Sequence, residues 1–269
     1  MQNSTRHSNR DRLRLEQYRD TSNLNARYEL HARFSTNRRG WHPWVFDQFT
    51  APSGGKILEV GCGPGYLWIH NAERIPAQWQ VTLSDFSPGM VRAARDGLSR
   101  IEATIDFVVC DVHAIPFGVQ EFDVVIANHM FYHVPDRRKA YSEIRRVLKP
   151  GGRLYAAANG KADKRSISEL ARRVNPNIFQ DKAGNSDWFS LESGLKELDE
   201  WFSNVYLQNY KDALQITESG PLVAYFKSFN RLSARELREL GKIADREIAS
   251  MGAIHIRKQP GLLLSRKQI

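Results

Sequence analysis

From Leu58 to Gly65 the chain reads Leu58-Glu59-Val60-Gly61-Cys62-Gly63-Pro64-Gly65, an apolar strand running straight into a turn with three glycines in five residues. Such a turn bends sharply and exposes bare amide groups to a ligand, where any Cβ would intrude. Twenty residues after Gly65, Asp85 closes a second apolar run, Val81-Thr82-Leu83. Strand, glycine turn, helix and a strand ending in a carboxylate make the nucleotide-binding half of a doubly wound α/β sheet, the acid accepting ribose hydroxyls.

The rest of the chain extends that alternation. Strands are expected at Lys56–Val60, Val81–Ser84, Phe107–Cys110, Phe122–Ala127 and Arg153–Ala158, the fourth with the all-apolar centre of a parallel strand covered on both faces. Between them lie helices from about Gly65 to Ala72, after the Ser87 cap with Pro88 in first position, and after the Asp136 cap up to Pro150-Gly151-Gly152. Beyond Gly160 the rhythm breaks. Ser168–Val174, Leu191–Phe202, Leu222–Phe229 and Ala234–Met251 read as helices, and Val205–Tyr210 and Ala213–Thr217 as strands. Ile254–Arg257 and Leu262–Ser265 flank Pro260-Gly261 and suggest one final antiparallel edge strand with a break. The expected division is a helical extension over 1–50, a ligand-binding core over 51–160, a helical lid over 161–200 and a completion of the core sheet over 201–269.

The net charge of +9 and pI near 9.6 suit an anionic partner, but residues 1–20 carry scattered arginines without interleaved aromatics, so nucleic acid is not the favoured partner. That segment lacks an apolar centre and reads as frayed, not as a secretory signal. No apolar run approaches the roughly 20 residues of a membrane span. Cys62 and Cys110, the only two cysteines, have no paired spacing, which argues against a disulfide or a thiolate metal site and makes the cytoplasm the default compartment.

Four further segments follow the octapeptide in order: Asp85-Phe86-Ser87-Pro88-Gly89-Met90, Cys110 to Phe117, Asn128 to Asp136, and Leu148-Lys149-Pro150-Gly151-Gly152. With it they resemble class I S-adenosylmethionine-dependent methyltransferases over residues 56 to 158, in particular the small-molecule branch that includes the ubiquinone and menaquinone C-methyltransferases. The resemblance implies a Rossmann-like doubly wound, seven-stranded, mostly parallel sheet with an antiparallel edge strand, an N-terminal helical extension and a helical insert after strand five. It implies S-adenosyl-L-methionine as cofactor and a small-molecule acceptor, the protein being a monomer or homodimer. Glu59, Gly61, Cys62, Gly63 and Gly65 would then meet its methionine end, Asp85 its ribose hydroxyls, and Phe86 and Met90 its adenine faces. Asp111 would accept from the adenine amino group and Val112 would pair with the ring, beside His113, where the family often carries a glutamate. Asn128 would face the ammonium and sulfonium groups, and Tyr28 and Trp44, near the polar Ser35-Thr36-Asn37 step and Trp41, would close over the cofactor.

A sulfonium methyl is already electrophilic, so transfer needs alignment and exclusion of water more than acid–base machinery. Where the acceptor must lose a proton, a histidine is the natural base. His129 and His133 are the candidates, with Tyr132 orienting the substrate, although a histidine matching His133 is common in the family as a structural element. Two rivals stay open. An RNA-directed methyltransferase suits the charge, and a nicotinamide-dependent oxidoreductase suits the strand–glycines–Asp85 unit, although the third glycine is not at dinucleotide spacing.

Overall fold

A computed structural model describes residues 21–163, 165–178 and 188–268; the arginine-rich segment 1–20 lies outside them. Two helices lead, α1 (Ser22–Phe34) and α2 (Trp41–Asp47), followed by β1 (Lys56–Val60), α3 (Tyr66–Ile69) and β2 (Gln80–Asp85). Next come α4 (Pro88–Gly97), β3 (Thr104–Val109), β4 (Phe122–Asn128), α5 (Arg137–Val147) and β5 (Leu148–Asn159). The remainder is α6 (Arg165–Arg172), α7 (Leu191–Asp199), β6 (Ser203–Asn209), β7 (Ala213–Ile216), α8 (Ser219–Lys227), α9 (Ala234–Met251), β8 (Ile254–Arg257) and β9 (Pro260–Arg266).

Seven strands form one sheet in the order β3-β2-β1-β4-β5-β9-β6. Strands β1 to β5 are mutually parallel, while β9 pairs antiparallel with both β5 and β6. The single antiparallel strand is therefore set one place in from the edge, and β6 outside it again runs parallel to β5. Burial explains the composition of the central strands: Ile57, Leu58, Val60, Val124, Val125, Ile126 and Ala127 are all at most 1% exposed because helices cover both faces. One face packs α5 and α7 through Tyr141, Ile144, Leu191 and Leu198; the other packs α2, α3 and α4 through Val45, Trp68 and Ala94.

Local signals set several boundaries. Ser87 caps α4 by accepting from the Met90 amide, and Asp136 caps α5 by accepting from the Lys139 amide at 3.0 Å. Ser233 and Glu236 form a reciprocal capping box that starts α9 at Ala234, where the sequence places it. Helix α3 is shorter than expected: it ends at Ile69, and a single 3₁₀ turn, Ala72–Arg74, follows. Strand β5 begins five residues early, at Leu148, and so takes in the whole Leu148–Gly152 segment.

The largest departure lies at the C-terminal end. Ile254–Arg257 and Leu262–Ser265 do not make one broken strand. The first is β8, which pairs with β7 in a separate two-stranded sheet, and the second falls in β9 of the main sheet. The small sheet has its own core, in which Leu30 and Phe34 of α1, Leu170 of α6, Phe226 of α8 and Ile243 of α9 meet Leu214 and Ile256. Helix α1 is anchored there by Arg27, which donates to the Ser228 hydroxyl and carbonyl, each at 2.9 Å, with its guanidinium over the Phe229 ring. On the opposite flank, Arg137 of α5 grips Glu197 of α7 with two hydrogen bonds, at 2.7 and 3.0 Å, and the Tyr141 hydroxyl donates to the same carboxylate. A bidentate charged pair sheltered this way fixes orientation as well as position.

Candidate functional site

Ligands in open α/β sheets bind beyond the carboxyl ends of the parallel strands. At that edge β1 delivers Gly61–Gly65, β2 Asp85, β3 Cys110-Asp111, β4 Asn128-His129, and β6 Tyr210. The glycine turn has φ of +69°, +55° and +79° at Gly61, Gly63 and Gly65, a left-handed path that side-chain-bearing residues avoid. Asp85 secures it. One carboxylate oxygen accepts from the Gly63 amide at 2.9 Å, the other from the Ser87 amide at 2.8 Å, and the Cys62 amide donates to the Ser84 carbonyl. The carboxylate thus binds the turn to the start of α4, and burial pushes its carboxyl pKa up against the opposing pull of these two amides.

Space at the turn differs by position. A Cβ at Gly61 would sit 2.7 Å from the Met130 Cβ, whereas one at Gly63 would meet only the Leu24 Cδ2, at 3.5 Å. Gly61→Ala should therefore lower stability by about 2–4 kcal/mol through backbone strain plus overpacking, and Gly63→Ala by only about 1–2 kcal/mol. Urea denaturation of the two variants checks the ranking.

Several of the nominated residues lie beneath the edge. Glu59 is 1% exposed, and its carboxylate accepts from the Trp68 indole N–H at 2.6 Å. Burial, together with the nearby Asp85 charge, raises its pKa to about 8 against that hydrogen bond. It braces the turn from inside the core. Met90 is 1% exposed within the α4 contact, Val112 and Cys62 are buried, and Phe86 is half-buried. Burial pushes the Cys62 thiol far above its ordinary range, so it stays protonated.

Asp111 and His113 pair with each other. One Asp111 oxygen accepts from the His113 amide at 3.0 Å and lies 2.7 Å from its Nδ1. The histidine that replaces the family's frequent glutamate is thus a partner for the neighbouring carboxylate. Asn128 Oδ1 accepts from the Trp41 indole at 3.3 Å. His129 has φ of +56°, the one side-chain-bearing residue at this edge held in the left-handed region among the described residues, and its ring lies 5.0 Å from that of Trp41. Strain of this kind persists only where the surroundings enforce it. Trp44 packs on Trp41 and on Tyr210, at 5.4 and 5.1 Å. Tyr132 stacks on Trp188 at 5.3 Å with rings 5° from parallel, and edge-on against His133.

The N-terminal helix reaches the same place. Leu24 lies over Gly63, Asn25 accepts from the Tyr66 hydroxyl, and the Tyr28 hydroxyl lies 2.9 Å from His70 Nε2. His70 in turn stacks on His42 at 5.1 Å. Burial first, then His70 and His129, push His42 down to about 3, so it stays neutral in this cluster at neutral pH. The structure therefore gathers Gly61, Gly63, Gly65, Asp85, Asp111, Asn128, His129, Trp44 and Tyr28 around one edge. Tyr210 and Trp188 escaped notice in the sequence, because each enters the site from a segment with no motif of its own.

Comparison with known proteins gives this arrangement a family. A methyltransferase domain model matches residues 57–152. The ubiquinone/menaquinone biosynthesis C-methyltransferase UbiE of Geobacter sulfurreducens is 32% identical over 61% of this chain and 67% of its own length. The Marinomonas sp. enzyme of the same name is 29% identical over 49% of this chain and 53% of its own. The chain spans about half the length of many of the curated relatives it matches. In fold it is similar to phosphoethanolamine N-methyltransferase 2 of Haemonchus contortus, with a TM-score of 0.60 at 18% identity, covering 98% of this chain and 61% of that one. Motifs, sheet order and a relative matched over two thirds of its length agree: the chain belongs to the class I S-adenosylmethionine-dependent methyltransferases.

Proposed function

We propose that this protein transfers a methyl group from S-adenosylmethionine to a small-molecule acceptor. The observation that carries the reading is Asp85, held by the Gly63 and Ser87 amides at the end of β2 and set beside three left-handed glycines. Each of its oxygens accepts one amide and keeps lone-pair capacity, which suits a vicinal diol. The cofactor fits the donor set: the turn amides and the start of α3 suit its carboxylate, Asp111 and the Val112 backbone suit an adenine edge, and Asn128 suits the ammonium group.

When bound, the cofactor supplies an electrophilic methyl on a sulfonium centre. The chain's part is to orient and to exclude water. The described part of the N-terminal extension, residues 21–50, acts as the cover, with Leu24 of α1 over the glycine turn, Tyr28 on His70, Trp41 of α2 on Asn128 and Trp44 behind Trp41. Of the expected lid over 161–200, part lies outside the described residues and α7 packs on the sheet, while Trp188 just before α7 stacks on Tyr132 and closes that side of the site. His129, held against Trp41 at the end of β4, takes the acceptor's proton where one must leave, with Tyr132 and His133 beside it on the substrate side. The net charge of +9 favours approach of an anionic acceptor. We place the enzyme in the cytoplasm as a monomer or homodimer; among the described residues no helix is long and apolar enough to cross a membrane.

Calorimetry tests the reading. S-adenosylmethionine should bind at micromolar concentration and NAD should not; the reverse would make the protein an oxidoreductase. With an acceptor in hand, His129→Ala should lower kcat by about 10²–10⁴-fold if it is the base, and unchanged turnover would remove it from that role.

A further inference from the structure

One buried polar group at the ligand edge has no task in the reaction described above. Tyr210 directly follows β6, whose carboxyl end lies at the same edge as Asp85 and Asn128, because β6 is parallel to β5 across the antiparallel β9. The residue is 3% exposed, and its hydroxyl has no hydrogen-bond partner among the described residues. The Ser35 hydroxyl and the Gly40 amide lie near it without completing a hydrogen bond to it, and each gives its proton to another acceptor. The Ser35 hydroxyl donates to Asp212 at 2.7 Å, and the Gly40 amide donates to the Asn37 carbonyl at 3.2 Å. Asp212 is itself saturated by Lys258, by the amides of Asn37 and Ala213 at 3.1 and 2.8 Å, and by Ser35 and Thr36.

Packing alone does not account for this hydroxyl. The Tyr210 ring lies edge-on to Trp41 at 5.4 Å and tilted on Trp44 at 5.1 Å, contacts a phenylalanine would make equally well. Buried tyrosine hydroxyls ordinarily find a partner, and a stranded one costs about 1–3 kcal/mol. A group kept at that cost at a ligand edge points to a partner that arrives with the ligand. Trp41 extends the same wall to His129 and Asn128, so a molecule lying along it spans from Tyr210 to the reacting end of the cofactor cleft.

Resting on the methyltransferase reading, we infer that Tyr210 is a substrate-binding residue whose hydroxyl donates to an accepting oxygen on the methyl acceptor, the acceptor's apolar body lying against Trp41 and Trp44. Burial and the neighbouring Asp212 carboxylate push this hydroxyl up to about 12, so it remains a neutral donor at physiological pH.

The test uses the full chain saturated with S-adenosylhomocysteine and two probes of one shape. Acetophenone carries an accepting oxygen where α-methylstyrene carries a methylene. By ligand-observed NMR, the wild type should bind acetophenone about tenfold more tightly than α-methylstyrene, and Tyr210→Phe should lose that preference while binding S-adenosylhomocysteine as before. Ligand-free Tyr210→Phe should melt no lower than the wild type, since it loses no bond. An equal preference in both proteins, absence of acetophenone binding to the wild type, or a drop of several degrees in the variant would each overturn the inference. Failure of S-adenosylhomocysteine to bind would overturn the methyltransferase reading itself, and this inference with it.

Discussion

Asp85→Ala is expected to weaken binding of S-adenosylhomocysteine by about 30- to 900-fold, the equivalent of about 2–4 kcal/mol. Two losses combine. The ribose hydroxyls lose a charged acceptor, and the Gly63 and Ser87 amides lose the carboxylate that joins the glycine turn to α4. The second loss matters because Gly61, Gly63 and Gly65 lie in a left-handed path that glycine adopts readily but does not enforce. Asp85→Asn separates the two. Its carbonyl oxygen can still accept from one backbone amide, but its NH₂ group must face the other donor, so an intermediate loss is expected. Calorimetric titration of the three proteins checks the order; an Asp85→Ala affinity within threefold of wild type would remove the residue from the site.

The second large effect concerns stability and pH. Burial lifts the Glu59 carboxyl from its ordinary 4.5 to about 8, outweighing the Trp68 hydrogen bond and helped by the Asp85 charge. An acid whose pKa rises on folding binds its proton more tightly in the native state. Its contribution is therefore complete below about pH 4.5 and is lost as pH rises through about 8. At about 1.4 kcal/mol per pH unit, the loss is on the order of 5 kcal/mol. Glu59→Gln keeps an oxygen for the Trp68 indole and carries no titrating proton. The variant should hold a nearly constant urea midpoint from pH 5 to 8, while the wild type declines and falls below it at the upper end. Parallel profiles would show that Glu59 is already charged in the native protein.

The two residues are linked. Asp85 is among the causes that raise the Glu59 pKa, so Asp85→Ala should also soften the wild-type decline with pH. This separates a carboxylate beneath the turn, which sets stability, from one at its rim, which sets affinity. From the sequence the two acids look alike, since each closes or nearly closes an apolar strand. Strand parity and the depth of the sheet distinguish them. The Glu59 side chain points into the layer occupied by Trp68, and Asp85 stands at the strand's end, where the chain turns toward solvent.

Similar reasons explain the other differences. Met90, expected to flank an adenine ring, lies in the first turn of α4 with its N–H on the Ser87 cap and is 1% exposed, so its burial is set by its neighbours in space and is not legible in the sequence. The break at Pro260-Gly261 reads as an interruption within one strand. In three dimensions, Lys258 and Gln259 carry the chain from the small sheet to the large one: the Lys258 ammonium pairs with buried Asp212, and the Gln259 amide donates to Asp163 at 2.7 Å. These partners lie 46 and 96 residues away, beyond the reach of any local pattern.

What sequence by itself determined was the set of residues at the ligand edge: the glycine turn, Asp85, Asp111 and Asn128, with the strands and caps that bring them there. Those features are local, since left-handed turns, N-caps and apolar strand runs are dictated by neighbouring residues and need no distant partner. Only the tertiary structure decided which acid lies inside, which sheet receives each C-terminal strand, and which aromatic rings gather at the ligand edge. Trp41, Tyr210 and Trp188 come from three segments without a shared motif: Trp41 of α2 meets Tyr210 beyond β6, and Trp188 before α7 stacks on Tyr132 beyond β4. Long-range packing chooses those rings.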